Sequence, residues 1–331
     1  MASRVFCIAD DRPSAETGLR VLLVSLAQHE KTTPTVLYRP GSSPEFAEWC
    51  RQWSWLEIVP ERPAGGFEWN CKPQALRPLL ARGFDEAVWL DSDLMLQTPL
   101  ARVLDGLPTE TLAVTQDSRA TNKGEFTLEA RTRAWNWPLH RAPMDPINTC
   151  LIRVTAAHRP LLTRWEEAMN EPRYVDWARQ PVGKRPPYFT SDQDVLMALL
   201  GGPEFGSLPL RVLPTGSAVL HCAGLRSFTW SERWRATTQG PAPLVHATTD
   251  KPWIVLSPRF GRGRRERLTQ LAHELSPYVV AARTLRTRLG QPAPWLEFRT
   301  PLGRLLGLLG WASPGLAGGP LTLAASLTSR R

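Results

Sequence analysis

The stretch AVWLDSDLML, residues 87–96, sets two carboxylates between two apolar runs. In a strand, side chains two residues apart lie on the same side of the chain, so Asp91 and Asp93 are predicted to face the same way. Two like charges held together repel, and burying them without a partner is costly. A divalent cation is a natural partner for such a pair. The stretch therefore predicts a cation site at the end of a buried strand, although the pattern also fits a turn with solvated carboxylates.

The net charge is concentrated at one end of the chain. The 331 residues carry a net charge of +9, and the 12 arginines and 3 glutamates after residue 258 account for all of it. The remainder is balanced, which argues against a nucleic-acid-binding surface on the body of the protein. The basic tail is instead a candidate for contact with an anionic lipid surface or another acidic partner.

The cysteines favour a reducing compartment. There are five, an odd number, and none lies in a Cys-x-x-Cys pair or at the spacing of a zinc site. Free thiols are typical of cytoplasmic proteins. The apolar run at residues 5–9 is too short for a secretory signal and is predicted to be the first strand. We therefore expect a cytoplasmic protein, peripheral on the inner face of the membrane if the tail binds lipid.

The first part of the chain alternates predicted strands and helices. Apolar runs at residues 5–9, 35–38 and 55–59 predict strands, and leucines at helical spacing between residues 19 and 26 predict a helix. This rhythm is typical of a parallel, doubly wound α/β sheet, in which ligands bind beyond the carboxyl ends of the strands. Asp10 and Asp11, like Asp91 and Asp93, follow predicted strands and are expected at that edge.

The middle of the chain predicts further regular elements around one long loop. Helices are predicted at residues 70–80, 159–169 and 192–200, the last with Ser191 as N-cap and Asp194 at the third helical position. Strands are predicted at residues 112–114, 146–154, 210–214 and 218–221. Residues 117–146 lack regular signals and are predicted to be a substrate-facing loop.

The tail predicts short helices at residues 264–275 and 278–289 and a third that begins at Thr300, the N-cap, with Pro301 at the first helical position. Residues 305–329 carry no charge, but glycines and prolines interrupt them, so a membrane-spanning helix is not favoured. Amphipathic contact with a membrane and packing on the body both stay open. We divide the chain into a domain at residues 1–257 and a basic, partly helical C-terminal extension at residues 258–331.

Five short motifs follow one another along residues 4–255: Ala-Asp-Asp after the first strand, the strand-end Asp-x-Asp, an Asn-Thr-Cys strand, an Asp-Gln-Asp helix start, and a histidine followed by Lys-Pro-Trp. In this order the set resembles the family-8 retaining glycosyltransferases, which include glycogenin and bacterial lipopolysaccharide galactosyltransferases. The resemblance implies a GT-A fold, with a mixed, mostly parallel central sheet flanked by helices. It also implies hexose transfer from a nucleotide-diphosphate sugar, a UDP-sugar above all, with retention of anomeric configuration, to a glycan, lipid-linked or protein acceptor.

The resemblance implies a metal and phosphate site. Asp91 and Asp93 match the Asp-x-Asp pair that binds Mn²⁺ or Mg²⁺, with Asp91 also near the donor ribose or sugar. His246 matches the third protein ligand, and Lys251 matches a lysine that meets the donor diphosphate. A carboxylate and imidazole ligand set suits these cations, and neutralised phosphates make a better leaving group.

The resemblance also assigns residues to the nucleotide and to the sugar. Ala9 and Asp10 match positions that meet the base and ribose, and Lys72 corresponds to a basic residue that contacts the donor. Lys72 could equally be a solvated residue at a helix start.

Beside the transferred sugar, the resemblance places Asn148, Asp192 and Gln193, with Asp192 or Gln193 supporting positive charge that develops on it. Alternatively, Asp192 could belong to an acidic helix start and Asn148 could be an amide at a strand edge. Trp135, Trp137, Trp230 and Trp234 fit packing as well as they fit stacking on sugars.

Two departures bear on activity. His246 and Lys251 are five residues apart, where the family has six and a glycine, and Cys150 replaces the glycine of the Asn-Thr-Gly strand. His221 is a second candidate for the third metal ligand, though no Lys-Pro-Trp follows it. The alternatives are a non-catalytic sugar-nucleotide-binding or membrane-docked relic, and an aspartyl phosphatase, which would place Asp-x-Asp on the first strand.

Overall fold

The computed structural model describes residues 3–64, 70–118, 126–222, 228–248, 250–257, 263–309, 315–316 and 318–320. Its contacts group into two compact units. The first comprises Met1–Pro13, Thr32–Ser92 and Leu104–Leu213, and the second comprises Ser14–Lys31, Asp93–Val103 and Pro214–Arg331.

The first unit is built on a seven-stranded sheet. Its strands are β1 (Arg4–Ala9), β2 (Thr35–Tyr38), β3 (Leu56–Val59), β4 (Glu86–Leu90), β6 (Leu112–Gln116), β7 (Ile147–Thr155) and β8 (Leu210–Leu213). They lie in the order β3-β2-β1-β4-β7-β6-β8. Only β7 runs antiparallel to its neighbours among these strands. The predicted mixed, mostly parallel sheet is confirmed.

Helices of the first unit cover the sheet. They are α2 (Pro44–Cys50), α3 (Lys72–Ala81), α5 (Leu128–Ala134), α6 (Arg159–Met169), α7 (Pro172–Ala178) and α8 (Asp192–Gly201). Helix α3 packs on β1 and β4, α8 packs on β7, and α6 contacts both helices. The core between them is apolar and includes Trp89, Leu76, Ile152, Trp165 and Leu196. Burial of these side chains is the main stabilising contribution to the unit.

The order of the strands brings several polar residues to one edge. β1, β4 and β6 end in the same direction, and the antiparallel β7 begins where they end. Asp10 follows β1, Asp91 follows β4 and Asp117 follows β6, whereas Asn148 lies at the start of β7. A shift of register between Val114 and Thr115 interrupts the β6–β7 ladder at this edge.

The second unit contains a smaller sheet, β5 (Leu94–Leu96), β10 (Leu244–His246) and β9 (Val219–His221), in that order. Its helices are α1 (Glu16–His29), α9 (Trp230–Thr238), α10 (Pro252–Val255), α11 (Arg264–Glu274), α12 (Pro277–Ala282) and α13 (Pro301–Leu308). The short α4 (Ala101–Leu104) lies at the boundary between the units.

The described part of the tail is packed against other segments of the second unit. Tyr278 is fully buried, Arg20 Nη1 donates to Leu289 O at 3.0 Å, and the rings of Trp253 and Trp295 meet edge to face. The N-cap at Thr300 is confirmed, because its hydroxyl accepts from Gly303 N at 3.0 Å. No helix in the described ranges is long and apolar enough to cross a membrane, and most of residues 310–331 lies outside those ranges.

Two details differ from the predictions. Residues 117–146 were expected to be irregular, but Leu128–Ala134 form α5, begun by a Thr127 cap whose hydroxyl accepts from Ala130 N. Trp135 is buried, and its ring stacks on Trp137 at 5.0 Å, so this pair packs the core. Trp234, in contrast, is 72% exposed. Residues 119–125 of the predicted loop lie outside the described part of the chain.

Candidate active site

The Asp-x-Asp segment does not lie on one strand. β4 ends at Leu90, β5 begins at Leu94, and residues 91–93 connect strands of two different sheets. Asp91 N still donates to Cys150 O at 2.9 Å, which fixes the end of β4. The prediction that both carboxylates share one strand face is therefore wrong, because the strand period stops where the ladder stops. Each carboxylate has its own set of partners, one in each unit.

In the first unit, Lys72 is the centre of a buried cluster. It is the first residue of α3 and is 3% exposed. Its Nζ lies 3.3 Å from Asp91 Oδ1 and 3.2 Å from Asp192 Oδ2. It also donates to Thr149 O at 3.0 Å and to Thr149 Oγ1 at 2.7 Å. The interpretation of Lys72 as a solvated residue at a helix start is excluded.

Charge and burial oppose each other in this cluster. Burial alone would lower the pKa of Lys72, but the charges of Asp192 and Asp91 raise it above its ordinary value, so the side chain stays an ammonium. Burial raises the pKa of Asp192 to about 6; Lys72 acts against this shift, and the charge of Asp91 adds to it. The pKa of Asp192 therefore lies close to neutral pH, as the pKa values of catalytic acids, bases and nucleophiles often do.

The two acids at the start of α8 have different roles. Asp194 is the predicted capping residue: it accepts from Ser191 N at 2.9 Å and pairs with the buried Arg131 at 2.6 Å. Asp192 instead meets Lys72 and is 3% exposed. Capping of the helix start therefore accounts for Asp194 but not for Asp192.

Gln193 and Asn148 meet at an aspartate that sequence reasoning missed. Asp117 Oδ2 accepts from Gln193 Nε2 at 3.1 Å, and its Oδ1 lies 3.3 Å from Asn148 Nδ2. Gln193 Oε1 in turn accepts from Thr149 N at 3.3 Å. The signal for Asp117 was available, because it directly follows a strand that ends at the ligand edge.

Asp10 lies in a second polar group of the first unit. Its Oδ2 accepts from Ser92 Oγ at 2.5 Å, and Arg12 binds the same carboxylate at 2.6 Å. Ala9 and Asp10 line a small pocket. Its other lining residues are Asp11, Tyr38, Pro40, Arg62, Pro63 and Cys71. The pocket thus combines an apolar wall, an aromatic ring and a cation.

In the second unit, Asp93 is held between two basic groups. Its Oδ1 lies 3.1 Å from His246 Nε2, and its Oδ2 pairs with Lys251 Nζ, which also donates to Ala247 O at 2.8 Å. Burial would raise the pKa of Asp93, but His246 and Lys251 hold it well below its usual range. The shortened turn therefore still brings Lys251 to the aspartate, although Thr249 within it lies outside the described residues.

Both candidate histidines are in the second unit and touch each other. His221 and His246 are register partners on the parallel strands β9 and β10, and their Nδ1 atoms are 3.0 Å apart. It is His246 whose Nε2 lies near Asp93. The geometry favours His246 over His221 as the ligand that accompanies Asp93.

A metal fits the donor atoms of Asp93 and His246. Asp93 Oδ1 is buried and accepts no well-directed hydrogen bond from the part of the chain that is described. An ionised oxygen in that position is costly unless a cation meets it. Two ligands at right angles on a cation with bonds of about 2.1 Å lie about 3 Å apart, close to the 3.1 Å between Oδ1 and Nε2.

Comparisons with known proteins agree with the expected resemblance. No protein-family model matches the chain, and no curated protein matches it. Among solved structures, the galactosyltransferase LgtC in complex with donor and acceptor sugar analogues is 16% identical with a TM-score of 0.49, over 81% of this chain and 95% of LgtC. The bifunctional glycosyltransferase WbbM is 15% identical with a TM-score of 0.48, over 76% of this chain.

The chain spans about half of WbbM, 47% of its length. The glycosyltransferase GlyE of Streptococcus pneumoniae is 13% identical with a TM-score of 0.45, over 88% of this chain and 65% of GlyE. At such identities and TM-scores these matches carry no argument about metal, donor or acceptor. All three of these structures are glycosyltransferases, the class of enzyme that the motifs predict.

Proposed function

We propose that the chain is a metal-dependent glycosyltransferase that moves a hexose from a nucleotide-diphosphate sugar to an acceptor. The observation that carries the proposal is that His246 and Lys251 both contact the buried carboxylate of Asp93. Carboxylate and imidazole hold a divalent cation, and an adjacent ammonium meets the phosphates that the cation binds.

Asp91, Asp93 and His246 would hold the cation, Mn²⁺ or Mg²⁺. Only Ser92 separates Asp91 from Asp93, so their α-carbons are within about 7 Å whatever the local conformation. Bound there, the cation would neutralise the donor diphosphate and make it a better leaving group. Lys251 is partly exposed and would turn from Asp93 toward the departing phosphate, where its charge stabilises the transition state.

Asp192, Gln193 and Asn148 would surround the transferred sugar. Asp117 fixes the amides of Gln193 and Asn148, and Lys72 fixes the carboxyl of Asp192. Groups held in this way need no reorganisation when positive charge develops on the sugar. Attack on the face from which the phosphate departs would retain the anomeric configuration, with the phosphate taking the acceptor proton. A covalent intermediate on Asp192 is the alternative route.

Ala9 and Asp10 would receive the nucleoside, with Tyr38 as the aromatic wall of their pocket. The rival proposal, a non-catalytic relic, is favoured by the shortened turn between His246 and Lys251. The two proposals differ in turnover, because a relic would bind a nucleotide sugar without releasing nucleotide.

A screen of nucleotide sugars for Mn²⁺-dependent hydrolysis tests the proposal. We expect nucleoside diphosphate release with one donor, UDP-sugars first, and a loss of at least about 100-fold in Asp93→Asn. Asp105→Asn removes the same charge from an exposed carboxylate and should keep full activity. Donor binding without nucleotide release, across varied acceptors, would instead support the relic.

We also propose that the catalytic domain ends near residue 257 and that the extension binds the surface of an anionic membrane. Helix α13 exposes Leu302, Leu305 and Leu308, at 45%, 52% and 87%, at a spacing of three residues. Arg286 and Arg304 line a depression beside it. Exposed leucines next to arginines match the interface of an anionic bilayer, which takes apolar side chains and attracts basic ones.

Vesicle sedimentation tests this second proposal. We expect binding to phosphatidylglycerol vesicles but not to phosphatidylcholine vesicles, and a loss of at least tenfold in Leu305→Ser/Leu308→Ser. Arg286→Gln/Arg304→Gln should weaken binding several-fold. The matched control, Arg51→Gln/Arg133→Gln, removes two exposed, ion-paired arginines and should not.

Unchanged vesicle binding in the leucine variant would refute the membrane surface. Concentration-dependent dimerisation that the same variant abolishes would assign the leucines to a second copy of the chain instead.

A further inference from the structure

His221 is buried beside the proposed metal ligand and has no part in the function proposed so far. It is 2% exposed, and His246 is 5% exposed. The parallel pairing of β9 and β10 sets the two residues opposite each other, and their Nδ1 atoms are 3.0 Å apart. Thr248 Oγ1 lies 3.3 Å from Nδ1 of His221 and 3.2 Å from Nδ1 of His246.

The two nitrogens of His246 therefore face different groups. Nε2 faces the Asp93 carboxylate, and Nδ1 faces His221. A neutral imidazole carries one hydrogen, so the nitrogen that donates it determines which nitrogen keeps a lone pair. A metal takes the lone pair of Nε2 only if the hydrogen is on Nδ1, and a buried N–H needs an acceptor.

We propose that His221 is a positioning residue that accepts the Nδ1–H of His246 and so keeps Nε2 free to bind the metal. This proposal rests on the function proposed above, since it takes His246 as a ligand. Partners of this kind orient ligating histidines and fix their tautomer. The opposite arrangement, in which His221 donates, would place the hydrogen of a neutral His246 on Nε2, against Asp93, and block the ligand atom.

The contact between His221 and His246 follows from the pairing of β9 with β10. Because β9 and β10 pair in parallel register, the two rings project on the same side, and a one-residue slip of either strand would separate them. A side chain of the asparagine type places its amide near the position of Nδ1, so Asn at position 221 keeps an acceptor within reach of His246. Leu at the same position fills the space without one.

Metal affinity and tautomer are measured separately, on the full chain. Mn²⁺ binding is followed by electron paramagnetic resonance with Mn²⁺ alone, and the tautomer of His246 by two-bond ¹H–¹⁵N correlation of ¹⁵N-histidine protein saturated with diamagnetic Mg²⁺. We expect the Nδ1–H tautomer in the Mg²⁺-bound wild type, and Mn²⁺ binding weakened about 10- to 100-fold in His221→Leu. His221→Asn should stay within about threefold of the wild type, as should Thr248→Val.

Several outcomes would overturn the proposal. They are an Nε2–H tautomer for His246 in the Mg²⁺-bound wild type, unaltered Mn²⁺ affinity in a folded His221→Leu protein, or a loss in Thr248→Val in place of His221→Leu. If His221→Leu does not fold, equal Mn²⁺ affinity losses in His221→Asn and Thr248→Val count against it. Absence of Mn²⁺ binding in the wild type, or full binding by His246→Ala, would refute the proposed metal site itself, a failure that the variants at position 221 do not produce.

Discussion

Replacing Lys72 with Met should destabilise the protein strongly while preserving the length of the side chain. The change removes an ammonium that touches Asp91, Asp192 and Thr149 and leaves the apolar stem in place. Asp91 is partly exposed and can recruit water. Asp192 is buried and cannot, so the largest cost falls on its carboxyl.

The magnitude follows from the pKa of Asp192. A buried carboxyl can avoid its charge by taking up a proton. For an ordinary pKa of about 3.9 this costs about 5 kcal/mol at pH 7.5, which is the largest penalty that Asp192 can impose on the folded protein. The wild type already bears about 3 kcal/mol of it, because the pKa is about 6. Loss of Lys72 can therefore add about 2 kcal/mol through Asp192 and about 1 kcal/mol for each lost hydrogen bond to Thr149. We expect about 4 kcal/mol at pH 7.5, within the range for breaking buried ion pairs.

The free energy of unfolding is measured in urea, by tryptophan fluorescence and circular dichroism in parallel. Lys72→Met/Asp192→Asn should recover about 2 kcal/mol, since the uncompensated carboxylate is gone. At pH 5.5 the penalty for Lys72→Met should fall to about 2 kcal/mol, because Asp192 is then mostly protonated in both proteins. Lys31→Met removes an exposed lysine and should change stability by less than about 0.5 kcal/mol. A penalty below about 1 kcal/mol at pH 7.5, or no coupling to Asp192, would refute the reasoning.

Three further predictions concern single side chains. The raised pKa of Asp192 stabilises the fold fully below pH 4, and that contribution is lost as pH rises through about 6. The free energy of unfolding of Asp192→Asn, measured in urea, should therefore rise relative to that of the wild type by up to about 3 kcal/mol between pH 4 and 7.5. Parallel pH profiles for the two proteins would contradict this. Lys251→Met should lower the kcat of donor hydrolysis at least about 100-fold, whereas Lys184→Met, at an exposed site, should leave it unchanged. Equal rates in the two variants would remove Lys251 from the mechanism. Glu274→Ala should lower the free energy of unfolding, measured in urea, by about 2–4 kcal/mol. The reason is that Glu274 is fully buried and accepts hydrogen bonds from Arg299 N and from Thr300 N and Oγ1. A decrease below about 1 kcal/mol would show that water replaces the carboxylate.

The sequence was sufficient to predict those parts of the fold that depend on local periodicity. The helix at residues 159–169 is α6, and the cap at Thr300 has the predicted partner. The strand-end positions of Asp10 and Asp91 also follow from pattern, because parallel strands expose their carboxyl ends at one edge. The resemblance to glycosyltransferases needed only the order of short motifs.

Contacts between distant segments could not be predicted in the same way. Nothing near Lys72 in sequence indicates that it is buried against Asp192, 120 positions later, since the pairing depends on how α3 and α8 pack. The break between β4 and β5 was missed because the apolar pattern continues through residues 94–96, whereas the ladder does not. The pairing of His221 with His246 depends on strand register, which short strands without a tight turn do not reveal.

The interrupted ladder between β6 and β7 has a consequence for how the proposed specificity can evolve. The register shift leaves Thr149 and Cys150 without the regular pairing of their neighbours, while Thr115 Oγ1 donates to Asn148 O at 2.6 Å and lies 3.2 Å from Cys150 Sγ. Side chains at such a bulge are aimed by backbone geometry more than by their own packing. A substitution at position 148 can therefore reshape the proposed sugar-facing wall without unpairing the sheet. A deletion of one residue there would rotate the whole wall at once, so this segment should resist changes in length.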